Sequence, residues 1–286
     1  MKVGRRILTA AFCLLAAALA GLASDGETVL RPSAVAVTVD GGGVRSVDTY
    51  LSPLRYQGAH VRIGFERLRT ARYSPEWANQ ISAGLTYDNS DNPAHNNQLH
   101  TLSADVEWGL MHRWNLSQVQ GLSVYAGGVL GFDGGVTYNP RNSNNVCSPL
   151  VHLHLGLTGM AVYRTRLGRL PLTLRYQATL PVVGCFFLPD YDQSFYEIYL
   201  GNYSDAVNFG WWGNRFDMDN LLTVDFHFGG TALRLGYRNE VTTLWENNIS
   251  VRRTVHSAVL GVAWESIRIA PRQDLPQKVR MISAFY

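Results

Sequence analysis

Leu172-Thr173-Leu174-Arg175-Tyr176-Gln177-Ala178-Thr179-Leu180 alternates apolar and polar residues without a break. A strand with this period of two sets one face against something apolar and turns a cationic, amide-bearing face toward water. Leu174 and Tyr176 belong to the first face, Arg175 and Gln177 to the second.

Stretches of the same character recur at Val35–Tyr50, Ala59–Arg69, Trp77–Asp88, Leu99–Trp114, Leu122–Gly134, Leu150–Arg164, Leu170–Val182, Leu221–Phe228, Ala232–Thr243 and Val251–Ile267. Most reach the roughly 9 to 11 residues that a tilted membrane-crossing strand requires. The pattern predicts an all-β fold, a transmembrane antiparallel up-and-down barrel of about ten strands. Twelve are reached if a hairpin lies within 183–220, with Phe195–Leu200 as its strand. Gly41, Gly42 and Gly43 predict a bulge or bend in the first strand. After the first residues no apolar run of roughly 18 appears, so no spanning helix is expected. A secreted β-sandwich would share the alternation, though less readily the strand lengths.

Short connections at 70–76, 115–121, 165–169 and 229–231 alternate with longer ones at 89–98, 135–149 and 183–220. Periplasmic turns and extracellular loops alternate in this way, which places both termini on the periplasmic side of an even-stranded barrel. The connection Ser52–Gly58, on the outer side, is a short exception. Trp77, Trp114, Tyr163 and Trp264 all fall at strand ends predicted to face the periplasm. Interfacial girdles favour such amphipathic rings at headgroup depth.

Lys2, Arg5 and Arg6, an apolar run from Ile7 to Leu22 and small residues near Ala18–Ser24 read as an export signal over 1–23. Cys13 lies within the apolar run and leaves with it. The whole chain carries 25 Lys plus Arg against 22 Asp plus Glu, and the signal holds three of those cations and no acid. The mature chain is therefore neutral, and nothing points to nucleic acid. The barrel is expected over 24–267, followed by a tail or closing strand over 268–286, where Val279, Met281, Ser283 and Phe285 alternate. Outer-membrane lipid and the barrel-assembly machinery are the expected partners, with a surface ligand or protein as a further one.

If the apolar set faces lipid, Arg62, Glu66, Asp105, Glu107, Arg175, Asp225, Arg234, Arg238 and Glu240 line the lumen as a charge network. Ser82, Thr86, Ser103, Gln177, His152, His154 and His227 share that face. A lipid-facing Arg near the midplane would cost roughly 2 to 4 kcal/mol, whereas luminal charges can pair. An ionic scaffold, a narrow passive channel and a catalytic group are all compatible with this set.

Asp225-x-His227 has the composition of a carboxylate–imidazole pair that could activate water in an outer-membrane hydrolase. It sits beside the Gly229-Gly230 turn, however, at the predicted periplasmic end. His152-x-His154 places two imidazoles on one strand face, a spacing compatible with a metal, with no third ligand fixed by sequence. No metal and no cofactor is assigned on this basis, and a non-enzymatic role is the leading expectation. Cys147 and Cys185 flank the Leu150–Val182 hairpin, where a disulfide between loops is feasible. The aromatic stretch 183–220, with Phe186, Phe187, Tyr191, Tyr196, Trp211 and Trp212, is either a ligand-binding surface or a lid folded into the barrel mouth.

Asp48-Thr49-Tyr50-Leu51-Ser52-Pro53, Tyr138-Asn139-Pro140-Arg141-Asn142-Ser143-Asn144-Asn145, Pro171-Leu172-Thr173-Leu174-Arg175-Tyr176-Gln177 and Ser194-Phe195-Tyr196-Glu197 carry a further signal. Together they resemble an uncharacterised family of outer-membrane proteins from Bacteroidota, grouped as a domain of unknown function. The resemblance runs from about Val35 to Ile267 and implies the barrel fold in a Gram-negative outer membrane. It implies no activity and no catalytic residue. The extension Ala270–Tyr286 departs from the family pattern.

Overall fold

The computed structural model describes residues 28–116, 118–201, 206–266, 279–281 and 283. The expected signal over 1–23 and most of the segment from 268 onward lie outside the described residues. The described strands are β1 (Thr28–Leu30), β2 (Ser33–Asp48), β3 (Ser52–Thr70), β4 (Trp77–Asp91), β5 (Gln98–Asn115), β6 (Leu122–Tyr138), β7 (Cys147–Leu167) and β8 (Leu170–Phe187). A short helix, α1 (Phe195–Tyr199), precedes β9 (Val207–Trp211), β10 (Arg215–Phe228), β11 (Thr231–Glu246), β12 (Ile249–Ser266) and β13 (Val279–Met281). Each of β2 through β8 pairs antiparallel with the next, β12 pairs with β2, and β10 pairs with β8, so the sheet closes on itself. β9 and β10 both run down the same edge of β8 and count as one interrupted stave. The result is a closed antiparallel barrel of ten staves.

Period-two alternation decides which way each side chain points. Val61, Ile63 and Phe65 of β3 are exposed on the outer wall, while His60, Arg62 and Glu66 point inward. The same division holds on β8, with Leu174 and Tyr176 outside and Thr173, Arg175 and Gln177 buried. The exposed belt of Val, Leu, Ile and Phe around the wall is continuous with Trp114 and Tyr163 near the short-turn end. Apolar clusters lie at both ends of the interior. Leu68, Ala78, Met111, Tyr125, Met160 and Val162 pack at the short-turn end. Tyr50, Leu51, Tyr56, Leu99, Phe186, Leu188, Leu244 and Ile249 pack at the long-loop end.

Several expectations change. Gly41, Gly42 and Gly43 lie within continuous β2, and the register shift falls at Ser46/Asp48 instead. A Cβ on Gly42 would strike the backbone of His256 and Ser257, so the glycine serves close strand approach rather than a bend. The predicted outer connection Ser52–Gly58 belongs to β3, which leaves Thr49–Leu51 as the turn. Among its described residues the stretch 183–220 holds no further hairpin. β8 runs on to Phe187, and Phe195–Tyr199 is helical because Ser194 and Glu197 form a capping box.

At the β9–β10 break, Trp211 faces Val183 while Asp219 faces Thr179. Eight residues of one stave thus match four of β8, and Leu180, Pro181 and Val182 have no ladder partner on that side. Val182 also falls at the register shift between β7 and β8. The Trp212 indole N–H donates to the Pro181 carbonyl across the gap at 2.7 Å.

At the opposite end β13 pairs in parallel with β1 in a sheet of its own, outside the barrel ladder. The Ser283 carbonyl accepts from Arg113 Nη1 at 2.9 Å, and its hydroxyl bonds Glu265.

Candidate functional site: a roofed, charge-lined chamber

The lumen is built in three levels. Its floor is a charge-balanced knot of two guanidiniums and two carboxylates contributed by β3, β8, β10 and β11. Arg175, 1% exposed, donates from Nη1 to Glu66 Oε2 at 2.6 Å, and Arg234 Nη1 reaches the same oxygen at 2.9 Å. Arg234 also grips both oxygens of Asp225 at 2.8 Å. Gln80 bonds Glu66 at 2.7 Å and Gln177 at 3.0 Å, and Gln177 continues to Thr158. Buried charges require such partnering, and a planar guanidinium serves two carboxylates at once.

Above the floor opens a cavity of about 260 Å³, and two smaller spaces of about 50 and 10 Å³ lie against the floor residues Glu66, Arg175 and Arg234. Its lining holds six carboxylates, Asp105, Glu107, Asp133, Asp217, Asp219 and Glu240, against the four guanidiniums of Arg62, Arg215, Arg238 and Arg253. With neutral histidines the chamber carries a surplus of two negative charges. Arg62 forms a two-pronged pair with Asp105, and its guanidinium occupies the space that a Cβ on Gly84 would take. Arg238 Nε lies 3.4 Å from Asp40 Oδ2. Arg253 links Glu240 at 2.7 Å and Asp88 at 2.9 Å, and Asp88 holds His60 Nδ1 at 2.7 Å.

On the wall formed by β6 and β7, His152 sits directly across from Asp133 and His154 directly across from Gly131. Both histidine Nδ1 atoms face the same Asp133 Oδ2, at 3.3 and 3.4 Å. Glu107 Oε1 lies 3.7 Å from His154 Nε2, and Asp217 Oδ2 lies 3.8 Å from His152 Nδ1.

The roof is built on the short turn Thr49–Leu51, against which Phe186 and Leu188 of the long aromatic stretch pack. Tyr50 and Leu51 are 3% and 5% exposed. Asn142 Nδ2 donates to the Leu51 carbonyl at 3.0 Å, Asn139 Nδ2 to the same oxygen at 3.4 Å, and Asn145 Nδ2 to the Tyr50 carbonyl at 3.4 Å. The Tyr50 hydroxyl donates to the Gln193 carbonyl at 3.1 Å. The Tyr50 amide donates to Asp48 Oδ1 at 3.0 Å, and burial pushes the Tyr50 phenol up to about 12.

All nine residues named for the charge network thus face the lumen: Glu66, Arg175, Asp225 and Arg234 in the floor, Arg62, Asp105, Glu107, Arg238 and Glu240 around the chamber. Sequence reading missed Asp40, His60, Asp88, Asp133, Asp217, Asp219 and Arg253. Most of them continue the inward alternation past the expected strand ends, or lie within glycine-rich stretches such as Gly131-Phe132-Asp133-Gly134.

Asp225 and His227 do not form the hydrolytic pair considered above. Asp225 gives both oxygens to Arg234, while His227 Nε2 bonds the Thr173 hydroxyl at 2.9 Å. The disulfide is also corrected, because both cysteines are free. Cys185 lies opposite Leu153, six residues along β7 from Cys147. At about 3.3 Å per residue that is roughly 20 Å, far beyond disulfide reach. The aromatic stretch divides. Phe186 enters the roof cluster and Phe187 lines the chamber, but Tyr191, Tyr196, Trp211 and Trp212 are exposed, so these four rings do not plug the mouth.

The profile of the family described as "Protein of unknown function (DUF3316)" matches residues 7–273. None of the curated proteins matches the chain. Among solved structures the chain is similar to the Neisserial surface protein A (NspA), at 11% identity and TM-score 0.32, with 81% of this chain and 97% of that one covered. It is also similar to the translocator domain of the autotransporter NalP from Neisseria meningitidis, at 12% identity and TM-score 0.36, covering 92% and 97%. The outer membrane protease OmpT from Escherichia coli matches at 7% identity and TM-score 0.43, covering 86% and 99%. At these values the likenesses carry no argument about function.

Proposed function

The chain belongs to the DUF3316 family, and from that premise we propose that it is a non-enzymatic outer-membrane barrel that holds a closed chamber instead of an open pore. The observation that carries this reading is the filled lower lumen. A neutral floor of Arg175, Glu66, Arg234 and Asp225 and the apolar cluster around Met111 leave a space of only about 10 Å³ beside them, against about 260 Å³ in the chamber. The exposed apolar belt supports residence in a bilayer, and the export signal read over 1–23 supports a Gram-negative outer membrane, in Bacteroidota as the resemblance implies. The roofed chamber opens toward the outside when the Thr49–Leu51 turn lifts, and its surplus of acid suits a small cationic ligand. Exposed Tyr191, Tyr196, Trp211 and Trp212 supply an interfacial aromatic rim at the same end, available to surface molecules.

Purified protein in planar bilayers is expected to show no conductance steps above background. Reproducible single-channel steps from the wild-type chain would overturn the closed-barrel reading and favour a narrow passive channel. For the enzymatic alternative, His227→Ala is expected to leave the lipid and peptide profiles of the outer membrane unchanged, because both oxygens of its Asp225 neighbour accept from Arg234 and its own Nε2 bonds the Thr173 hydroxyl. A shifted profile, with barrel assembly intact by heat-modifiable gel migration, would restore a hydrolase.

A further inference from the structure

We propose that Asp133, His152 and His154 form a binding site for one divalent transition-metal ion of the zinc class inside the chamber. The inference deepens the reading of the chamber as a site for a cation and rests on it. Three donor groups converge here within 4.8 Å of one another. The separations from Asp133 Oδ2 to the two Nδ1 atoms, 3.3 and 3.4 Å, are too long for good charge-assisted hydrogen bonds, which run at about 2.7–2.9 Å. They do match the edge of a tetrahedron, about 3.3–3.4 Å for metal–ligand bonds of about 2.0–2.1 Å.

The histidines are 4% and 2% exposed, and neither Nδ1 has a hydrogen-bond partner among the described residues. A buried imidazole nitrogen left in that condition costs free energy unless something else satisfies it. A metal ion at the centre of the three donors does so.

The surroundings fit the same ligand. Glu107 stands on the far side of His154, 3.7 Å from Nε2, where a carboxylate would fix the ring once Nδ1 is bound to metal. Asp217, 3.8 Å from His152 Nδ1, is within reach of a fourth position, tethered by Arg215 Nε at 2.6 Å. Three carboxylates thus face one guanidinium, a local surplus that a dication would balance. Gly131 matters because a Cβ there would collide with the His154 ring. Two imidazoles and one carboxylate select zinc and its late first-row neighbours over magnesium or calcium, which prefer all-oxygen shells.

The test uses the mature chain without a histidine tag, stripped with chelator and refolded in detergent with and without one equivalent of zinc, so that loading does not depend on the roof opening. The expected result is one zinc per chain retained through gel filtration. Cobalt in place of zinc is expected to give the visible absorption of a low-coordinate N/O site. His152→Ala, His154→Ala and Asp133→Asn each weaken zinc binding at least tenfold, and Glu107→Gln weakens it about 10- to 100-fold. Heat-modifiable migration reports which variants fold. Wild-type protein that retains no stoichiometric zinc after either refolding overturns the site, and so does a folded His152→Ala/His154→Ala double variant that binds as wild type does. A zinc-free chain that is still silent in bilayers would remove the metal and leave the closed barrel standing, whereas a conducting chain would remove the closed barrel itself.

Discussion

Glu66→Ala is expected to destabilise the barrel by about 3–5 kcal/mol, the usual consequence of stripping the partner from a buried charge. The residue accepts from Arg175 and Arg234, both nearly inaccessible, so its loss takes a carboxylate partner from two buried guanidiniums at once. Gln80 loses its acceptor in the same step. Urea unfolding in lipid vesicles, followed by tryptophan fluorescence or heat-modifiable migration, measures the effect. Glu66→Leu combined with Arg175→Met should recover most of it, since an apolar pair of similar volume replaces the ion pair while Arg234–Asp225 survives. A single-variant loss below about 1 kcal/mol would show that the floor is not held by this knot.

The second large effect concerns access. In a Cys147→Ser/Cys185→Ser background, a cysteine introduced by Ser103→Cys lines the chamber beneath the roof. Asn142→Ala with Asn145→Ala removes two of the side-chain donors that hold the Thr49–Leu51 turn. Each such bond contributes about 0.5–1.5 kcal/mol, so the open population should rise roughly 5- to 150-fold. Labelling by a small water-soluble thiol reagent should accelerate by that factor, and an unchanged rate would mean that the turn is not the gate.

The barrel was legible because alternation is a local property that every stave repeats. Arg175 against Leu174 is enough to orient a strand once a membrane is assumed, and the nine luminal charges follow from it. What could not be read was which inward residues meet across the barrel. Glu66 and Arg234 are 168 residues apart, and only closure of the sheet brings them to 2.9 Å. Asp133 escaped for the same reason, since its partners depend on the β6–β7 register. Length and aromaticity pointed to the long loop, which gives Phe186 and Leu188 to the roof, but nothing local marked the three-residue turn whose carbonyls are held by asparagines. Three of the stretches that carry the family resemblance meet there. Asp48–Pro53 supplies the turn, Tyr138–Asn145 the donors, and Ser194–Glu197 caps the helix beside Gln193. The fourth, Pro171–Gln177, supplies the floor.

The break between β9 and β10 gives the wall a mechanical character that its other staves lack. A closed sheet resists dilation because every hoop of hydrogen bonds is loaded at once. Here one hoop is missing over Leu180–Val182 and is replaced by a single indole tether. Strain applied to the cylinder, whether by bilayer thickness or by lateral pressure, concentrates at that point. The barrel is stiff around most of its circumference and compliant along one vertical line, which passes Thr179 and Pro181 at the edge of the chamber.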